Sequence, residues 1–146
     1  MKDTNRWMVV AQLAALLIAG LQLTACSKPL KAHNPEHPAA VEKIPGSEVM
    51  KVTLTERATQ RLDVKTEQVR EEGGQRLVPY SSLIYDPKGN TWVYTSPAPR
   101  TFVREKVEID RIIGNQVLLK VGPTAGTMIA SRAVAELYGT ELKVGH

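Results

Sequence analysis

Few side chains in this chain are of the kinds that do chemistry. One cysteine, Cys26, and three histidines, His33, His37 and His146, are spread over 146 residues. A thiol serves as a nucleophile only with a positioned base beside it, and a general base must be held within hydrogen-bond reach of the proton it takes. None of the histidines falls where a folded core is expected. The chain also has no P-loop, no GxSxG, no HExxH and no glycine-rich dinucleotide fingerprint. The sequence therefore predicts a protein that is not an enzyme. A lone cysteine further excludes an intramolecular disulfide and a zinc site assembled from CxxC pairs. His33 and His37, in HNPEHP with Glu36 beside them, form the one metal-ligating pattern. Their spacing suits two ligands on one helical turn, but Pro35 between them disfavours that helix. Two readings are open: a flexible segment that binds a soft or borderline cation weakly, or a polar tether that merely contains two histidines.

The residues before Cys26 assign the cysteine another role. Lys2 and Arg6 precede the apolar run WMVVAQLAALLIAGL, Trp7 to Leu21, which has the layout of a secretory signal over residues 1–25. The run contains Gln12 and is shorter than the roughly 20 apolar residues a membrane-spanning helix needs. Leu23-Thr24-Ala25-Cys26 resembles a bacterial lipobox. That resemblance implies cleavage before Cys26 and a covalent diacylglycerol, with palmitate-type chains, on its sulfur. Two acyl chains hold a protein stably at a bilayer, at about 0.8 kcal/mol per buried methylene. No other cofactor is expected. Without Lys2, Arg6 and Asp3 the net charge of +4 falls to +3, with both signs well mixed. Nucleic acid is not an expected partner, because it calls for a concentrated basic face.

Residues 26–48 carry Pro29, Pro35, Pro38 and Pro45 among polar residues and read as a lipid-anchored flexible tether. Order is expected from residue 49, and 49–146 reads as one domain. A strand through Val52 and Leu54 leads into a helix over Glu56 to Leu62, with Thr55 as its N-cap, and a strand over 63–71 follows. Asp86-Pro87-Lys88-Gly89 is a turn with glycine in the left-handed position, which predicts a hairpin. Residues 101–112 alternate Val103, Val107 and Ile109 against charged side chains, Glu105 excepted. Gly114-Asn115 turns them back into QVLLKV. A last short strand in TMIAS precedes a helix over Arg132 to Tyr138, capped by Ser131 and stopped by Gly139. The fold class is mainly β: a small antiparallel roll or barrel-like domain with two short helices.

Trp92 and Tyr94 share one face of their strand and make one side of the first hairpin strongly aromatic. Core packing and a partner-binding surface both account for this pair. Arg100, Arg104, Lys106 and Arg111 suggest a basic strip. Glu105, Glu108 and Asp110 interleave with them, so the strip reads as a solvated strand face.

The order of these segments resembles periplasmic adaptor subunits of RND-type efflux systems, also called membrane fusion proteins. VTLTERATQRLDVKTEQV is similar to the opening of their mature region. VPYSSLIYDPKGNTWVYTSPAPRTFVREKVEIDRI and GPTAGTMIASRAVAELYG are similar to their C-terminal part. In that family the two parts flank a β-barrel domain, a lipoyl-like domain and a helical hairpin, and meet in space as the membrane-proximal domain. Here only Glu71 to Gln75 separates them. Family members often carry glycine where this chain has Asp63 and Ala133. The resemblance implies a membrane-proximal domain alone, unable to bridge two membranes. Its implied partner is a membrane transporter or a full-length adaptor, on the extracytoplasmic side. A metal-handling envelope lipoprotein using His33 and His37, and a structural lipoprotein without a transporter partner, are the alternatives.

Replacement of Cys26 by serine is expected to abolish acylation and processing at this position. Mass spectrometry of the exported protein checks this: the wild type should carry the diacylglyceryl mass on Cys26 and the variant should lack it.

Overall fold

The computed structural model describes residues 37–144. The expected signal segment, Cys26, His33, Glu36 and His146 lie outside the described residues. Alternation in MKVTL places Val52 and Leu54 on one face of strand β2 (Met50–Leu54), and both are buried. Thr55 then leaves the strand and caps helix α1 (Glu56–Leu62), its Oγ1 accepting the Ala58 N–H at 3.1 Å, as the sequence predicts. A strand that the sequence does not predict precedes them. β1 (Ala39–Lys43) lies within the stretch read as tether and pairs antiparallel with β2, Ala39 opposite Leu54 and Lys43 opposite Met50. Ala39 and Val41 alternate too briefly to register as a pattern. They matter only because β2 is there to pair with and because their side chains pack on the core.

The remaining elements are β3 (Lys65–Gln68), β4 (Arg70–Glu72), β5 (Gln75–Pro79), a 3-10 turn over Tyr80–Ser82, β6 (Ile84–Tyr85), β7 (Thr91–Ala98), β8 (Thr101–Ile113), β9 (Gln116–Val121), β10 (Met128–Arg132) and helix α2 (Val134–Glu141). Their order in the sheet is β3-β10-β7-β8-β9-β5-β4, with β2 joined to β8 and β6 to β7. The single strand expected over 63–71 is therefore two strands with different partners, β10 for β3 and β5 for β4. Val69 is the joint between them. Its N–H donates to the Thr127 carbonyl at 2.9 Å, and its carbonyl accepts from the Gly126 N–H at 2.8 Å. Because β3 and β4 adjoin in sequence, the two ends of the strand row meet and the sheet nearly closes into a barrel.

Closure gives every central strand two apolar faces. Val93 of β7 points into a cluster with Val69, Val78, Val107, Val117, Leu119 and Ile129. These mostly β-branched side chains suit the pleat of a narrow sheet. The next residue, Tyr94, points the other way, into a cluster with Val52, Leu54, Ile84, Phe102, Val134 and Leu137 that β1, β2 and both helices cover. Each such side chain contributes about 1.5–3 kcal/mol by leaving water.

The two predicted turns form. Gly89 has φ +81° and donates its N–H to the Asp86 carbonyl at 2.9 Å, while Gly114 has φ +57° between β8 and β9. The hairpin that the first turn closes is shorter than expected, because β6 has only two residues and β5 belongs beside β4 and β9. The last helix also differs. Ser131 is the buried fourth residue of β10 and not a cap, since β10 runs on to pair Arg132 with Lys65. Helix α2 begins after Ala133, which has φ +62° and caps with no side chain, and Gly139 lies inside the helix. An interior glycine costs a helix only about 1 kcal/mol, so burial of the residues around it carries α2 onward.

Asp63, at φ +49°, and Ala133, at φ +62°, are both left-handed without being glycine. Asp63 is held by ion pairs to Lys65, at 2.7 Å, and to Arg132. Ala133 has no such partner and bears the Cβ strain. Ala133→Gly is expected to raise stability by about 0.5–1 kcal/mol, the strain relieved less the entropy glycine adds to the unfolded chain. Urea unfolding of the two proteins side by side measures it.

Candidate functional site

In α2, Val134, Leu137 and Glu141 follow at spacings of three and four, which puts them on one side of the helix. The first two enter the core, so the third must as well. The Glu141 side chain is 1% exposed, and a carboxylate there requires partners for its charge and lone pairs. It has them. Oε2 accepts the Tyr94 O–H at 2.5 Å and lies 3.0 Å from Arg104 Nε. Oε1 accepts from Arg104 Nη2 at 3.1 Å and from the Met50 N–H, also at 3.1 Å. The last bond has a backbone reason. β2 pairs with β8 at Lys51–Val103, Val52–Phe102 and Thr53–Thr101, and continuing that register would oppose Met50 to Arg104. There the ladder ends, and the carboxylate takes the N–H that β8 does not. Burial first, and then the bond to Glu141, push the Tyr94 hydroxyl far above its ordinary pKa, so it remains a donor at any physiological pH.

Arg104, with its side chain 10% exposed, is held from both sides. Its guanidinium carbon lies 4.4 Å from the centre of the Trp92 ring and 5.2 Å from that of Tyr138. The Trp92 indole N–H donates to Asp86 Oδ2 at 3.0 Å. Asp86 also accepts from the Asn90 side-chain amide at 2.8 Å, the Asn90 N–H at 2.9 Å and the Lys88 N–H at 2.8 Å. These donors, the Asn90 side chain foremost, hold the Asp86 carboxyl down at about 2. Turn, stack and buried ion pair are thus one chain of contacts. They form the wall of a groove of about 300 Å³ that Glu48 and Leu142 also line.

With both oxygens of Glu141 occupied and its charge matched by Arg104, the cluster clamps α2 to β2, β7 and β8. It also fixes the Trp92 ring as a half-buried wall of the groove. Trp92 and Tyr94 do share a face, but only Trp92 reaches the surface. Tyr94 is 0% exposed, so it belongs to the core and offers no surface to a partner. Arg104 corrects the reading of a solvated basic strip. It faces the core side with Phe102, opposite Tyr94, and is consumed by Glu141. The sequence carried one signal of this arrangement that reasoning from it missed: Glu141 continues the apolar spacing of Val134 and Leu137.

Cys26 and His33 lie outside the described residues. His37 is exposed and lines a separate groove beside β1. Among the described residues, no group of three or more histidine, cysteine, aspartate or glutamate side chains is placed to hold a metal ion. Among them, too, no helix is long and apolar enough to cross a membrane. No protein-family model matches this chain, and no curated protein and no solved structure matches it.

Two measurements follow from the cluster. Glu141→Gln leaves Arg104 buried without a counter-charge and is expected to destabilise by about 3 kcal/mol, while Tyr94→Phe removes one bond to a charged acceptor at about 1.5–3 kcal/mol. The double variant should fall well short of the sum, because both act on one carboxylate; denaturant unfolding of the cycle tests this. For Asp86 the folded pKa lies below the unfolded one. Its contribution is therefore complete above the unfolded value near 4 and is lost as pH falls through about 2. The melting-temperature gap between wild type and Asp86→Asn should be constant above about pH 5 and should close as the pH falls from about 4 to 2.

Proposed function

We propose that this chain is a lipid-anchored, non-catalytic docking domain that works beside a membrane transporter, in the manner of the membrane-proximal part of an RND-type adaptor. The observation that carries the reading is the way the two halves complete each other. Residues 50–72 supply β2, α1, β3 and β4, and residues 75–141 supply the strands and helix that cover them, β10 pairing with β3 and β5 with β4. The only connection is the turn Gly73-Gly74, with φ +59° and +78°. Two segments that flank a long insertion in adaptors would need this mutual fit to stand as a domain without the insertion. A short connection lowers the entropy of bringing them together.

The docking side chains are large apolar groups that remain exposed. Tyr80, Tyr85, Ile112 and Ile113 do so around the end of the sheet where β8 turns into β9. The Tyr80 N–H donates to the Asn115 carbonyl in that turn, and the Tyr85 hydroxyl lies beside that of Tyr80. An exposed apolar group of this kind is typical of an interface. Lipidation at Cys26 would supply the effective concentration that makes a modest contact sufficient.

Crosslinking in native membranes, followed by affinity capture of the full chain, tests the proposal. The expected result is a transporter or adaptor subunit in the captured material, reduced at least tenfold by Ile113→Asp and unchanged when His33 and His37 are both replaced by alanine. Capture that fails only in the histidine variant and returns with added metal would overturn it in favour of metal handling.

A further inference from the structure

The carbonyl of Pro38 accepts the Thr55 N–H at 2.9 Å, which sets the hydrogen-bonding parity of the whole β1–β2 ladder. Bonded pairs alternate with unbonded ones in an antiparallel ladder, so Ala40 with Thr53 and Glu42 with Lys51 carry the bonds. The N–H and C=O groups of Ala39, Val41 and Lys43 consequently face away from β2. Among the described residues no strand pairs with that edge. Beside it runs a mostly apolar groove of about 650 Å³, lined by Pro38, Ala39, Ala40 and Val41 and, from α2 and its end, Thr140 and Lys143.

We infer that this edge is the seat of a second copy of the chain, paired β1 to β1, antiparallel, about a twofold axis through Val41. The occupant follows from symmetry and charge. The three outward residues are spaced evenly about Val41, so an identical strand presents a donor and an acceptor to each of them: Val41 to Val41, and Ala39 to Lys43 in both directions. On the solvent face Glu42 then opposes Ala40. Moving the axis to Glu42 would set two Glu42 carboxylates against each other, and moving it to Ala40 would set Lys43 against His37 beyond the end of the strand. The side chains the incoming strand turns toward α2 are Ala39 and Val41, which are small and apolar, with Lys43 at the end of the same face. Pro38 and Pro45 limit the pairing to the five residues of β1. So short a contact falls below the roughly 1,200 Å² of a stable interface, and the dimer is one that forms at high local concentration. The inference does not depend on the transporter partner.

The test is thiol crosslinking of the full chain under mild oxidation, with Ala40→Cys and Glu42→Cys proteins examined singly and mixed, the linked peptides being read by mass spectrometry so that any Cys26 product is scored apart. The mixture should link position 40 to position 42 at least tenfold better than either protein links to itself. Lys43→Pro, introduced into both, should abolish this link: it removes an N–H that faces out of the ladder, so β1 stays paired to β2 and the melting temperature is kept. Equal yields in all three samples, or a link that survives Lys43→Pro in a folded protein, would overturn the inference. So would a link from position 42 to itself in preference to the mixed one.

Discussion

One carboxylate, that of Glu141, ties the last helix to three strands of the sheet at once. Its four contacts reach the backbone of β2, the hydroxyl of Tyr94 in β7 and the guanidinium of Arg104 in β8 from a helix that lies last in the sequence. A buried ion pair is seldom worth more than a well-packed apolar substitute, because desolvation offsets most of the attraction. What it confers here is position. An apolar side chain at 141 could fill the space but could not satisfy the Met50 N–H, and α2 would be placed by the packing of Val134 and Leu137 alone.

The two clusters divide the work of stability. The inner, valine-rich one belongs to the closed sheet and is built from β5, β7, β8, β9 and β10, with Val69 from the joint between β3 and β4. The outer one exists only because β1, β2 and the two helices lie over that sheet. Gly122 marks how tightly the inner cluster closes: a Cβ there would stand 2.9 Å from Leu119 Cδ1 and 3.0 Å from Val107 Cγ1. The docking and pairing surfaces inferred above lie on elements held by different clusters, the β8–β9 turn by the inner and β1 by the outer.

The parts of this arrangement that local chemistry decides were legible in the sequence. Thr55 caps α1, Gly89 and Gly114 turn their hairpins, and the alternation around Val52 and Val107 marks strands, because each depends on a few adjacent residues. The parts that failed depend on distant partners. β1 is a strand only beside β2. The 63–71 run breaks at Val69 because two different strands claim its halves. Ser131 cannot cap α2 because β3 keeps β10 extended as far as Arg132. The site shows the same division. The shared face of Trp92 and Tyr94 follows from strand periodicity, whereas the burial of Tyr94 depends on β2 and α2 lying over it, and the pairing of Arg104 on Glu141, 47 residues beyond Tyr94.

The amide of Met50 reports on this account most directly, since its only acceptor is the Glu141 carboxylate where the β2–β8 ladder ends. Native-state hydrogen exchange should find it protected in the wild type to an extent comparable with Val52. In Glu141→Ala it should exchange at nearly the rate of an open chain while Val78 and Val117, in the inner cluster, stay protected. A Met50 amide that exchanges freely in the wild type, or one equally protected in the variant, would contradict the claim that this carboxylate joins the helix to the sheet.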